Sequence, residues 1–144
     1  MPEKFELASK AWFDEIFRLF REAAAAHPEI DFSVCEVFTG VPARLNPDAE
    51  GKIAWYGYLK NGKADLHMGE VDPSKVVVKN IADWEATVPL ARAHIDLTTP
   101  EGVAAYTKMS EDAAASGKLE RFGDRTKVPM QLIGIHNSIA RLTA

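Results

Sequence analysis

The sequence contains few of the features that identify a class of protein directly. Cys35 is the one cysteine in 144 residues, so no disulfide can form within the chain. A single thiol fits a reducing compartment. Cys35 lies in a strand-like run with no histidine or cation next to it. We therefore predict a small core residue there and no nucleophile.

Long apolar runs and targeting signals are also lacking. No segment approaches the roughly 20 apolar residues that a membrane-spanning helix needs. Residues 1–4 are followed by an amphipathic segment with Asp14, Glu15, Arg18 and Arg21, which is not the pattern of a secretory signal. The last residues do not form a peroxisomal or reticulum-retention address. We expect a cytoplasmic protein without stable membrane insertion.

Neither a basic run nor a catalytic motif is present. The 17 Lys and Arg residues are scattered and the net charge is -4, so we expect no nucleic-acid partner. A phosphate-binding glycine loop and a GxSxG elbow are both missing. No two histidines have the spacing of a helical ligand pair. We therefore predict no metal and no cofactor; the histidines are His27, His67, His94 and His136.

What is present is a hydrophobic content of 47%, enough for one domain over residues 1–144 with a substantial core. Periodicity predicts both helices and strands, and the strands before the second helix have the pattern of an antiparallel meander. In chain order the predicted elements are helix 5–27, strands 30–41, 53–60, 63–69 and 75–79, a short helix from 84, helix 100–116, a short strand within 117–124 and a helix from 128 onwards.

Local turn and cap residues support these boundaries. Asn61-Gly62 is the strongest hairpin signal in the chain, because both residues tolerate a positive φ. Thr99 and Pro100 suit the N-cap and first position of a helix, and Gly117 suits its left-handed C-terminal residue.

The terminal helix carries more apolar surface than one stripe requires. Met130 and Ile133 lie outside its main stripe and widen the apolar face at its start. A ligand cavity closed by the helix, a partner subunit in a homodimer, or deep burial would each cover them. The main stripe consists of Leu132, Ile135, Ile139 and Leu142.

An acid–base enzyme would leave no spacing signature, because a buried carboxylate or imidazole suffices for such chemistry. Glu36, Asp124 and His136 are the candidates. Each also has a purely structural interpretation: an edge-strand carboxylate facing water, a turn residue, and a position on the flank of the helix, respectively. The sequence therefore leaves catalysis open, and we expect binding in preference to it.

Two short motifs and the order of the elements resemble the sterol carrier protein type-2 family, the non-specific lipid-transfer proteins. The segments 117–119 (Gly-Lys-Leu) and 123–124 (Gly-Asp) match that family's final strand, and 61–66 is similar to its central hairpin. The resemblance implies a terminal helix that helps enclose a lipid or fatty-acyl tunnel. Residues 90–116 and 125–128 are longer than the family's usual connections, which suits a smaller acid, thioester or ring compound.

We therefore predict an α+β fold: about five strands in a mainly antiparallel sheet, covered by helices on one face and enclosing an apolar cavity. The predicted function is binding or carriage of a hydrophobic ligand such as a fatty acid, an acyl-CoA or a sterol-like molecule. A small hydratase or isomerase acting in the same cavity and a dimeric interaction module with a filled core are the alternatives. The predicted lining residues are Phe17, Trp84, Tyr106, Phe122, Met130 and Ile133.

Overall fold

The computed structural model describes residues 3–96 and 98–144, and for Arg125, Met130 and Ile133 it describes the backbone only. The strands are β1 (Phe32–Thr39), β2 (Ile53–Lys60), β3 (Lys63–Met68), β4 (Val78–Asp83) and β5 (Leu119–Gly123). The α-helices are α1 (Lys10–Ala26), α2 (Trp84–Arg92), α3 (Pro100–Ala115), α4 (Met130–Ile133) and α5 (Ile135–Leu142). Short 3₁₀ turns lie at Ala43–Leu45, Pro73–Lys75 and Arg125–Lys127.

The five strands form one mixed sheet in the order β3-β2-β1-β4-β5, so β1 is the central strand. Neighbouring strands are antiparallel except β1 and β4, which run parallel. The predicted α+β class and mainly antiparallel sheet are confirmed. The predicted meander is wrong at its last step, because the chain leaves β3 at one edge and returns beyond β1.

The crossover between β3 and β4 covers one face of the sheet, here called the outer face. The Lys79 ammonium, almost fully buried, donates to Glu70 Oε2 at 2.7 Å and to the Val71 carbonyl at 2.9 Å. The Ser33 hydroxyl accepts from the Val77 backbone N–H at 2.9 Å. Beneath this segment Cys35 is 0% exposed, and burial raises the pKa of its thiol. The predicted core position of Cys35 is confirmed.

Helix α1 packs its aromatic stripe onto the other face of the sheet, the inner face. Trp12 contacts Phe38 with ring centroids 6.0 Å apart, and Phe20 contacts Trp55 at 5.1 Å. The helix begins at Lys10 and not at residue 5, because the Ser9 side chain caps the Trp12 backbone N–H. Phe5 instead pairs with Thr143 in an isolated parallel bridge.

The predicted hairpin between β2 and β3 is confirmed. Asn61 and Gly62 have φ values of 55° and 78°, the left-handed conformation that a type I′ turn requires. The strand pairing then places Leu66 opposite Gly57 on the inner face and His67 opposite Tyr56 on the outer face.

Two helices differ from the sequence expectation. Helix α2 carries Pro89 in its interior and continues to Arg92, although a proline inside a helix ordinarily bends or ends it. The terminal helix is divided into α4 and α5 at Gly134 and is not continuous. Its main stripe still packs into the core: Leu132 is buried, and Ile135, Ile139 and Leu142 lie against it.

None of the helices within the described part of the chain is long and apolar enough to cross a membrane.

The connection into β5 depends on two glycines with positive φ. Gly117, at +80°, ends α3 as predicted, and the next N–H, from Lys118, bonds to the Ala113 carbonyl at 3.0 Å. Gly123, at +94°, lies against the crossover, where a Cβ would stand 2.1 Å from the Val77 carbonyl oxygen. Gly123 is therefore required by both its conformation and its surroundings.

Gly123→Ala should destabilise the protein strongly, because the new methyl group overlaps backbone atoms that hold β4 in the sheet. Gly117→Ala is the matched control, since its φ is also positive and nothing lies within 4 Å of its added Cβ. The control should cost about 1–2 kcal/mol from conformational strain alone. Urea unfolding of both variants compares them; equal losses would contradict the steric argument.

Candidate functional site

A pocket of about 160 Å³ lies between the inner face of the sheet and helices α2, α3 and α5. We call it the inner pocket. Its floor comes from β1, β4 and β5, and its roof comes from the helices. Its lining consists of Leu7, Trp12, Glu36, Val37, Phe38, Asn80, Ala82, Thr87, Leu90, Ala91, Tyr106, Ser110, Leu119, His136 and Ile139.

The polar floor of the pocket is a consequence of strand register. In the parallel pairing of β1 and β4, Glu36 is the partner of Asn80 and Phe38 is the partner of Ala82. Because side chains alternate along a strand, all four belong to the same face. Glu36 therefore lines the pocket from the central strand. The alternative interpretation, in which Glu36 faces water from an edge strand, is wrong.

His136 lines the pocket from α5 and joins α5 to the chain segments around it. Its Nε2 lies 2.7 Å from the Ala93 carbonyl oxygen, and its Nδ1 lies 3.5 Å from the Tyr106 hydroxyl. A carbonyl oxygen only accepts, so Nε2 carries the proton and Nδ1 of the neutral ring is an acceptor. The Tyr106 and His136 rings also meet edge to face, with centroids 4.7 Å apart.

Burial keeps the imidazole of His136 neutral. Desolvation lowers its pKa below the ordinary value of 6.5, and the nearby His94 lowers it further, although the bond to the Ala93 carbonyl opposes both effects. At neutral pH the ring is therefore an uncharged donor and acceptor at fixed nitrogens.

Thr87 contributes a hydroxyl whose proton is already in use. Its Oγ1 donates to the Asp83 carbonyl oxygen at 2.7 Å, one helical turn earlier. Asp83 in turn caps α2, accepting from the Ala86 backbone N–H at 3.0 Å. The hydroxyl oxygen of Thr87 is thus held in place by the start of α2.

The third acid–base candidate lies elsewhere. Asp124 is exposed in the turn after β5, where its Oδ1 accepts from the Thr126 backbone N–H at 2.9 Å and from the Thr126 hydroxyl at 2.5 Å. These bonds lower the pKa of the Asp124 carboxyl. The structure thus places Glu36 and His136 in the inner pocket and Asp124 in a turn outside it.

Of the predicted ligand-binding residues, Tyr106 lines the inner pocket. Phe17 borders a second depression of about 330 Å³ beside α1 and β2. Trp84 packs against the core and donates to the Leu7 carbonyl at 2.8 Å. Phe122 is 36% exposed on the outer face of β5, opposite the pocket. The side chains of Met130 and Ile133 lie outside the described residues, so their role stays a prediction.

Sequence reasoning missed the polar lining residues Asn80, Thr87 and Ser110. The i,i+4 spacing of Asp83 and Thr87 on a capped helix offered one local signal. Asn80 had none, because its place beside Glu36 depends on which strands pair. Within residues 3–96 and 98–144, no three His, Cys, Asp or Glu side chains are grouped as a metal site would need.

Comparisons with known proteins identify the fold. No protein-family model matches the sequence, and no curated protein does either. A crystal structure of sterol carrier protein 2 matches over 96% of this chain and 100% of its own, with a TM-score of 0.55 and 16% identity. A conserved hypothetical protein of Thermus thermophilus, described as possibly a sterol carrier protein, matches over 96% and 93%, with a TM-score of 0.50 and 16% identity.

A third similar structure is a much longer protein. The stereoselective inverting sec-alkylsulfatase of a Pseudomonas species matches over 86% of this chain, with a TM-score of 0.41 and 19% identity. The present chain spans 14% of the length of that enzyme.

The fold is thus of the class in which helices cover one face of a five-stranded mixed sheet. Within that class it is the fold of sterol carrier protein 2, as the motifs around Gly117 and Gly123 indicated.

The depressed pKa of His136 predicts an acid-sensitive stability. The unfolded chain takes up this proton near pH 6.5, and the folded chain only at lower pH. The stability contribution is therefore complete above pH 6.5 and is lost as the pH falls through the pKa of the folded state. The free energy of unfolding in urea should fall as the pH drops below about 6.5, and His136→Gln should flatten that fall.

Thr107→Val is the control for this measurement, because Thr107 is exposed on α3 and its hydroxyl does not titrate in this pH range. The control should keep the pH dependence of the parent protein. An unchanged slope in His136→Gln would show that His136 is not its source.

Proposed function

We propose that this protein binds a small hydrophobic ligand carrying one polar group, and that the inner pocket is the binding site. The observation that carries the proposal is the composition of the pocket wall. Apolar side chains from β1, β4, β5, α2 and α5 surround a few polar groups that converge from different elements: Glu36 from β1, Tyr106 from α3 and His136 from α5. This combination is typical of small-molecule sites, where apolar surface supplies affinity and a few polar groups fix orientation.

The size of the pocket limits the ligand. A cavity of about 150 Å³ in another protein holds one benzene molecule, and the inner pocket is about 160 Å³. A ring or a short chain therefore fits within it. A whole fatty acid, acyl-CoA or sterol would extend beyond this volume, so either part of such a ligand lies outside the pocket or the helical roof moves.

The fold supports the same proposal. The solved structures that it resembles include one named sterol carrier protein 2 and one described as possibly a sterol carrier protein. Helix α3 is the element through which carriage would operate. It contributes Tyr106 and Ser110 to the pocket, yet none of its described residues is buried. Such a helix can move with a small loss of buried surface. The cytoplasmic location and the homodimer stay predictions.

Ser110→Phe should abolish ligand binding, because a phenyl ring projecting from α3 would occupy a pocket about one ring in size. Native mass spectrometry of the purified parent protein would detect a carried ligand. Calorimetric titration with cyclohexanol, decanoate and cholesterol would then rank ligands by size. The parent should bind at least one of them.

Ser116→Phe provides the control, since Ser116 lies exposed at the C-terminal end of the same helix. It should bind ligand as the parent does. Undiminished binding by Ser110→Phe would place the site elsewhere, and a parent protein that binds none of the three would refute the proposal.

An acid–base enzyme of the hydratase or isomerase type is the second candidate. The observation that favours it is that Glu36 and His136, two groups able to transfer protons, line one pocket. Neutral His136 presents Nδ1 as a base, and its orientation is set by the bond from Nε2 to the Ala93 carbonyl.

Proton abstraction next to a carbonyl would exchange the α-hydrogens of a ketone or thioester for solvent deuterium. The parent should accelerate that exchange in heavy water, as followed by NMR, and Glu36→Gln should bind the same ligand yet slow it by about 10²-fold or more. Asp124→Asn should leave the rate unchanged, because Asp124 lies outside the pocket. Exchange no faster than in solvent would eliminate the enzyme and leave the carrier.

A further inference from the structure

Arg121 carries a positive charge on the inner face of the sheet, beside the inner pocket. One residue of β5 separates it from the pocket residue Leu119, so the two side chains belong to the same face. Its partner in β4 is Asn80, which also lines the pocket. Its guanidinium donates from Nη2 to the carbonyl oxygen of Ser110 at 3.0 Å, and Ser110 is a third residue of the pocket wall. The guanidinium therefore lies at the end of the pocket that β5 and α3 form.

No carboxylate pairs with this guanidinium within residues 3–96 and 98–144, although the Arg121 side chain is half-buried. Lys79, on the outer face of β4, shows the usual arrangement, because its buried ammonium is paired with the Glu70 carboxylate at 2.7 Å. A half-buried cation without a counter-ion attracts an anion more strongly than a fully hydrated one, since less water screens the charge. A guanidinium also has more N–H donors than the bond to Ser110 uses, in a planar fork that fits a carboxylate.

Strand register separates this cation from the acidic side chain of the pocket. Glu36 in β1 is the partner of Asn80 in β4, and Asn80 is the partner of Arg121 in β5. Neighbouring strands are about 5 Å apart, so the backbones at Glu36 and Arg121 are about 10 Å apart. An anionic group bound at the β5 end of the pocket would therefore lie beside Arg121, with β4 between it and Glu36.

We propose that the ligand of the inner pocket is a small carboxylic acid, whose ring or short chain fills the pocket and whose ionised carboxylate binds Arg121. The inference rests on the proposed binding function, and it adds the chemical class of the polar group and the residue that selects it. A volume of about 160 Å³ holds a ring, and the carboxylate then extends from the pocket towards the guanidinium. Arginine suits this role better than lysine, because its planar fork can bond both carboxylate oxygens.

The test compares three ligands that share one ring: cyclohexanecarboxylate, cyclohexanecarboxamide and methylcyclohexane. The first two have the same shape and differ in charge, and the third has no polar group. Binding to the parent protein would be followed by NMR chemical-shift titration at about pH 7.5, well above the ordinary pKa of a carboxyl group. The carboxylate should bind about tenfold more tightly than the amide, as expected for hydrogen bonds to a charged group. Added salt should weaken binding of the carboxylate and leave binding of the amide unchanged.

Arg121→Gln removes the charge and keeps an N–H donor for the Ser110 carbonyl. It should abolish the preference for the carboxylate over the amide by weakening carboxylate binding, with methylcyclohexane binding unchanged. Arg121→Lys keeps the charge without the planar fork, so it should retain part of the preference. Arg141→Gln is the matched control, because it removes the same charge from an exposed arginine of α5 that donates to Ser138. It should keep the preference of the parent protein.

The outcomes separate this inference from the binding function. Equal affinity of the parent protein for the carboxylate and the amide would overturn the inference and leave the pocket as a binding site, and this comparison needs no variant to fold. An undiminished preference in Arg121→Gln would do the same. Failure of all three ligands, methylcyclohexane included, to bind at the pocket would overturn both proposals. An equal loss of preference in Arg141→Gln would show an effect of the net charge of the protein and would overturn the assignment to Arg121.

Discussion

The parallel pairing of β1 with β4 is the constraint on which the rest of the structure depends. It makes β1 the central strand, and it requires residues 69–77 to cross the outer face of the sheet. That crossing is secured by the buried Lys79 ammonium, which would be costly to desolvate without the Glu70 carboxylate and the Val71 carbonyl that it bonds. The same pairing sets Glu36 beside Asn80 on the inner face. The floor of the pocket and the cover of the opposite face therefore have a common origin.

The roof of the pocket is held differently, by polar contacts between short segments. His136 connects α5 to the end of α2 through Ala93 and to α3 through Tyr106. The Arg121 guanidinium donates to the Ser110 carbonyl at 3.0 Å and ties α3 to β5. Helix α1, by contrast, buries an aromatic stripe on the sheet. Helices α2 and α5 also pack against the core, whereas α3 has no buried residue among those described, so α3 is the lightly attached part of the roof. This difference among the helices is consistent with the proposed binding site.

Much of the fold could be predicted from local chemistry. Asn61-Gly62 indicated the hairpin because few other residue pairs accept two positive φ values, and Thr99 with Pro100 and Gly117 indicated both ends of α3. The start of α1 and the break at Gly134 were not predicted. An amphipathic pattern shows which residues share a helix face, but the contact between Phe5 and Thr143 that draws the first residues away from α1 joins opposite ends of the chain.

The candidate site shows where local reasoning ends. The sequence by itself determined most helices and strands and the resemblance to sterol carrier proteins. It also limited the acid–base candidates to three titratable groups, two of which are Glu36 and His136. These results depend on residues that are close together in the chain. Only the tertiary structure decided that Glu36 and His136 line one pocket and that Asp124 does not. Those facts depend on strand order and on contacts between distant segments, for which a single sequence has no local signal.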